Sequence, residues 1–183
     1  MLYVETSLLD ENLIGPAVDN PVLADLLLRR RIAAVHRLLE SSDDAFEAET
    51  RLTFIADRIR IHLRGVTDDP RTQIGDLPEK FRAFLDARLF EPVTLASASD
   101  RLRASPTHLA RSFAGAFGIP PHTYLLGRRL EAARQRLLDG EPPAKVAVDV
   151  GFCDQSHFTR HIKRHLGTTP GRCVMSRDAE SCQ

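Results

Sequence analysis

One short pattern, written twice in the C-terminal half, limits what this chain can fold into more than anything else in it. Each copy is a brief apolar segment, a tight turn, and a helix opened by a capping side chain and closed by glycine. In the first copy Leu95 and Leu102 precede the turn, Ser105 is placed to cap and Pro106 fills the first helical position. Leu109, Phe113 and Phe117 then recur at steps of four on one face, Gly118 closes the helix, and Pro120-Pro121 start the next. In the second copy Val146, Ala147 and Val150 form the apolar stripe, and Gly151 supplies the turn. Phe152 packs back, and Asp154 caps a helix carrying Phe158, Ile162 and Leu166 up to Gly167 and Pro170. The periodicity predicts helices near 78–89, 94–102, 105–117, 121–138, 143–150 and 154–166.

The rest of the chain is also helical in pattern. Pro21 is placed to open a helix with Leu28, Ile32, Val35 and Leu39 on one face; Ser41-Ser42-Asp43-Asp44 ends it and caps the next. That second helix carries Ala48, Leu52, Ile55, Ile59 and Leu63, and two such helices across a short polar turn predict an antiparallel hairpin. Its apolar faces suit core packing and a dimer interface equally. Residues 1–14 read as a last strand or a frayed tail, and Gly65 to Pro78 as a linker. The expected fold class is all-α. Residues 1–64 form a tail and helical hairpin, 65–77 a linker, 78–173 two compact lobes on one central helix, and 174–183 a tail.

Charge separates the two halves. Residues 1–91 hold 12 Lys and Arg against 17 Asp and Glu, and residues 92–183 hold 13 against 8. A basic half beside an acidic one points to a polyanionic partner, although a solvated basic surface has the same composition. No apolar run approaches the roughly 18–20 residues of a membrane span, and the start lacks the order of a signal peptide. A cytoplasmic, nucleoid-associated location is expected. Cys153, Cys173 and Cys182 are odd in number and show no paired spacing, so reduced thiols are expected.

A short helix, a turn and a capped second helix make a helix-turn-helix unit, whose second helix reads base edges in the major groove from its N-terminal outer face. Thr107 and Arg111 hold that place in the first unit, and Gln155, Ser156 and Arg160 in the second. Arginine can bind guanine and glutamine adenine through two hydrogen bonds, each pair contributing about 1–3 kcal/mol of discrimination. Arg103, His108, Arg128, Arg129, His157 and Lys163 are the expected phosphate contacts. The connecting helix also carries Arg134 and Arg136, and each of its arginines suits a solvated face as well.

Val146-Ala147, the run from Gly151 to Arg160 and Gly167-Thr168-Thr169-Pro170 resemble the second-unit signature of the AraC/XylS family of bacterial transcriptional regulators. Ser105 to Phe113 is similar to that family's first recognition helix. Tyr124, Arg129, Ala132 and Leu137-Leu138 look like its connecting helix. The resemblance covers residues 92–173 and implies base contacts at Thr107, Arg111, Gln155, Ser156 and Arg160. The sequence departs from the family where Arg103 stands at a turn position often held by glycine. It departs again at Ala98-Ser99 in place of a Leu-Ala pair, and at Cys173 in place of a tyrosine. Residues 1–64 resemble only the helical hairpin of a family sensor domain, which implies an effector-blind protein.

Rival chemistries leave weaker traces. Cys153, His157, His161 and His165 recur at steps of four, but successive positions rise about 6 Å, so four cannot converge on one metal ion. No phosphate loop or nucleophile motif is present, Cys153 beside a turn suits packing or redox sensing, and no cofactor is called for. The partners expected are double-stranded DNA, a second copy of the chain through residues 21–64, and RNA polymerase; no membrane is expected.

Overall fold

The computed structural model describes residues 23–41, 45–64 and 75–171. They form α1 (Leu26–Ser41), α2 (Ala45–Arg64), α3 (Leu77–Ala87), α4 (Leu95–Leu102), α5 (Pro106–Phe117), α6 (Pro121–Leu138), α7 (Pro143–Asp149) and α8 (Gln155–Leu166). No strand occurs among the described residues. Residues 1–14, most of the linker and the tail after Gly171 lie outside them. The all-α class is as expected, and the six predicted C-terminal helices appear within two or three residues of their expected ends.

The caps explain that agreement, because each acts within its own turn. Thr94 opens α4 by accepting from the Ser97 amide, whose hydroxyl answers back to the Thr94 amide. Ser105 accepts from the His108 amide and Asp154 from the His157 amide at 2.7 Å; Gly118 and Gly167 close α5 and α8 in the left-handed conformation. α1 starts later than Pro21 suggested. The Asp25 carboxylate accepts from the Leu27 and Leu28 amides at 2.8 and 3.0 Å, so the first turn is capped there.

The chain divides into two compact units, one from Met1–Arg82 and Thr94–His122, the other from Ala83–Val93 and Thr123–Gln183. In the first, Leu28, Val35 and Ile55 form the buried seam of the α1–α2 hairpin, with Leu23, Ile32, Leu52 and Ile59 packed on it. Leu39, expected on that seam, is 55% exposed. The opposite face of α2 packs against α4 and α5. Phe81 and Phe113, both fully buried, meet edge to face at 5.5 Å beneath α5. The hairpin therefore belongs to one compact unit with the first helix-turn-helix, and the unit boundary does not follow the linker at 65–77.

In the second unit Leu130, Ala133 and Leu137 of α6 bury against Val146, Ala147 and Val150 around α7. Phe152, Phe158 and Ile162 complete that core. Gly151 (φ 83°) is required twice over: its backbone is left-handed, and a Cβ there would lie 2.9 Å from the Phe90 carbonyl oxygen. At the far end Arg136 binds the carboxylates of Glu141 and Asp149. The Arg136 and Lys145 cations hold the Glu141 carboxyl down at about 2.

Candidate nucleic-acid interface

α8 presents a polar N-terminal face because its other face is consumed by the core. Phe158 and Ile162 are fully buried, whereas Gln155, Ser156 and Arg160 are exposed. The Asp154 cap is held below the ordinary carboxylate range, first by the His157 amide that it accepts. A fixed carboxylate here sets the start of the helix, and so the direction in which Gln155 and Ser156 leave it. Lys163 is exposed on the same helix, in its last turn beside Arg164 and His165.

The first unit builds a similar helix under different conditions. The turn between α4 and α5 departs from a glycine-bearing turn and pays for it in backbone strain, since Arg103 sits at φ 54°. Ser99 offsets some of this by donating its hydroxyl to the Ala104 carbonyl at 2.6 Å, across the turn. Arg103 and His108 are exposed. Thr107 and Arg111 are not presented in the same way. The Thr107 hydroxyl accepts from Arg60 of α2 at 3.2 Å, and the Arg111 guanidinium lies 3.3 Å from the carboxylate of Asp57, also on α2. The Arg111 and Asp57 side chains are only 23% and 16% exposed, and Ala110 between Thr107 and Arg111 is fully buried.

Three of the expected phosphate contacts have other work in the fold. Arg129 donates to the carbonyls of Leu89 and Glu91 at 2.7 Å each and to that of Gly151 at 3.2 Å. Its guanidinium thus ties α6 to the segment after α3 and to the turn before α8. His157 is 6% exposed and packs edge to face on Phe152, because it adjoins the core residue Phe158 at the margin of the buried face. Arg128 is exposed but paired with Asp86 at 2.8 Å, in a cluster with the Tyr124 hydroxyl. Desolvation, then the Asp86 carboxylate, pushes the Tyr124 phenol up. Among the histidines at steps of four, the Nε2 atoms of His157 and His161 lie 2.8 Å apart, and the rings of His161 and His165 stack at 6.0 Å.

Residues 98–174 match a family described as a helix-turn-helix domain. An HTH-type transcriptional regulator of Bacillus subtilis, the uncharacterised YbfI, is 30% identical over 142 residues, covering 73% of this chain and 50% of its own length. The C-terminal domain of AraT, a response regulator from Geobacillus stearothermophilus, superposes with a TM-score of 0.54 at 25% identity, over 58% of this chain and 89% of that one. A Chromobacterium violaceum transcriptional regulator with an AraC-type DNA-binding domain shares the fold, with a TM-score of 0.51 at 24% identity over 55% and 91% of the two chains. Residues 98–174 are thus matched as an AraC-type helix-turn-helix domain. That family is one of transcriptional regulators, and the chain spans about half the length of YbfI.

Sequence reasoning missed that Asp57 and Arg60, on α2 and outside the AraC-type domain, meet Arg111 and Thr107 of α5. The only trace of them is a second stripe on α2, in which Glu49, Thr50, Thr53, Asp57 and Arg60 recur at helical spacing. Polar residues in such a stripe read as solvated, although Thr50 is fully buried and Thr53 is 2% exposed. Among the described residues no helix is long and apolar enough to cross a membrane.

Proposed function

We propose that this chain is a sequence-specific regulator of transcription that reads double-stranded DNA in two adjacent major grooves, with α8 in one and α5 in the other. The observation that carries the reading is the division of α8, whose Gln155, Ser156 and Arg160 face outward at the capped end while Phe158 and Ile162 anchor it fully buried. In this reading Arg160 and Gln155 contact base edges, and Arg103, His108 and Lys163 contact phosphates. The two helices carry unlike residues, so the site is a pair of unlike boxes rather than a palindrome. A second copy of the chain engages the hairpin, where Leu26, Leu27 and Leu39 of α1 are exposed, and RNA polymerase is the further partner. No small-molecule effector is needed for the 183 residues to bind.

Selection of bound fragments from random duplexes, in effector-free buffer, is the direct test. Arg160→Ala should then weaken the selected site by about 1–3 kcal/mol and relax the preference at one base position. With about five to eight phosphates neutralised, the slope of log affinity on log salt should lie at roughly −4.5 to −7. A flat salt response, or equal losses on selected and scrambled DNA for Arg160→Ala, would overturn the reading.

A further inference from the structure

The two recognition helices are in different states, and α2 is the cause. At 100° per residue α2 has two opposed faces: Leu52, Ile55 and Ile59 meet α1, while Glu49, Thr50, Thr53, Asp57 and Arg60 lie on the other side. That second side is bonded to the first helix-turn-helix at three points. Glu49 accepts from the Leu95 amide at the start of α4 at 2.6 Å, Asp57 pairs with Arg111, and Arg60 donates to Thr107. The last two are the residues that α5 would offer to bases.

We propose that α2 is an intramolecular competitor of DNA, which masks the reading face of α5 until the hairpin moves aside. The proposal rests on the DNA-binding reading above and deepens it.

Sterics make the two occupants exclusive. The major groove is about 12 Å wide, and one helix with its side chains already measures about 10–12 Å. Two packed helices have axes about 8–10 Å apart, so α5 cannot enter the groove with α2 lying on its outer face. Electrostatics make α2 a stand-in for the duplex: Asp57 gives Arg111 the anionic oxygen that a phosphate or a guanine edge would otherwise offer. The contact is also built to open. Thr50 and Thr53 donate to carbonyls of their own helix, those of Phe46 and Glu49, so separation strands neither hydroxyl. The apolar seam with α1 lies on another face of α2, so it need not open when α2 leaves.

The test compares full-length variants on the selected duplex. Arg60→Ala removes a cation, which by counterion release alone should weaken binding. Unmasking instead raises affinity by about three- to tenfold, the gain expected when an open state populated at roughly 10–30% becomes dominant. Asp57→Asn should raise it likewise, and that gain should vanish in an Arg111→Ala background. Glu79→Gln, which removes one negative charge from an exposed position on α3, should change affinity less than about twofold. If Arg60→Ala loses its helical circular dichroism, Asp57→Asn, of nearly the same shape, carries the comparison. Unchanged or weaker binding by Asp57→Asn, with Arg160→Ala still impaired, would overturn the masking while leaving DNA binding intact. Absence of duplex binding by the parent and by every variant would overturn the functional reading itself.

Discussion

Replacing Arg129 by alanine separates a side chain that holds the fold from one that grips a phosphate. Its guanidinium donates to three carbonyls: Leu89 and Glu91 at 2.7 Å and Gly151 at 3.2 Å. A hydrogen bond to a charged group contributes about 1.5–3 kcal/mol. The Glu91 bond lies at the surface, where water replaces part of it, and the Gly151 bond is long, so the three together come to about 2–4 kcal/mol rather than their sum. For a chain of this size that is a fall in the thermal midpoint on the order of 5–15 °C. Arg129→Lys should recover less than half, because a single ammonium cannot span carbonyls on two segments. Thermal and urea unfolding of the three proteins, with duplex affinity measured well below the midpoint, makes the comparison. A midpoint within about 2 °C of the parent, with affinity lowered alike on every duplex, would refute the structural role and restore Arg129 as a phosphate anchor.

Gly151→Ala should destabilise by more than about 2 kcal/mol, since it combines a left-handed backbone with the approach to Phe90. Gly140, at φ 87° with nothing near its missing side chain, is the control: Gly140→Ala should cost only about 1 kcal/mol, and equal losses at the two sites would show that the clash is relieved. Arg103→Gly removes the strain at φ 54° but loosens the unfolded chain, so stability should rise by no more than about 1 kcal/mol; a loss in urea unfolding would mean that the side chain does more than turn the backbone. Asp25 accepts from His62, Arg58 and two backbone amides, which hold its carboxyl well below the usual range in the folded state. Its contribution is therefore complete above the unfolded value of about 3.9 and is lost as pH falls towards the folded one, so the parent loses in acid a stabilisation that Asp25→Asn never had. With the linkage, the stability gap between the two closes as pH drops from about 5 towards 2, and a gap that stays constant in circular dichroism titrations would refute it.

The helices of the C-terminal half were legible in the residues because their signals are local. Ser105, Asp154, Gly118 and Gly167 each act on backbone groups within one turn, and Leu109, Phe113, Phe158 and Ile162 announce a buried face by spacing alone. Ser156 and Arg160 point away from the core by that spacing, whereas Gln155 shares the register of Phe158 and Ile162 and is exposed because it opens the helix. Arg129 and the pair Thr107 and Arg111 could not be assigned this way. The carbonyls that hold Arg129 are contributed 38 and 40 residues before it and 22 after it, and Asp57 lies far along the chain from Arg111. An arginine on an amphipathic helix has the same sequence signature whether it meets a phosphate, water, a distant carboxylate or a set of backbone oxygens. Helix formation depends on neighbours three and four residues away, whereas the partner of a long cationic side chain depends on which segments packing brings to it. The tertiary structure therefore decided which of the basic residues hold the fold, and that Thr107 and Arg111 of α5 meet α2.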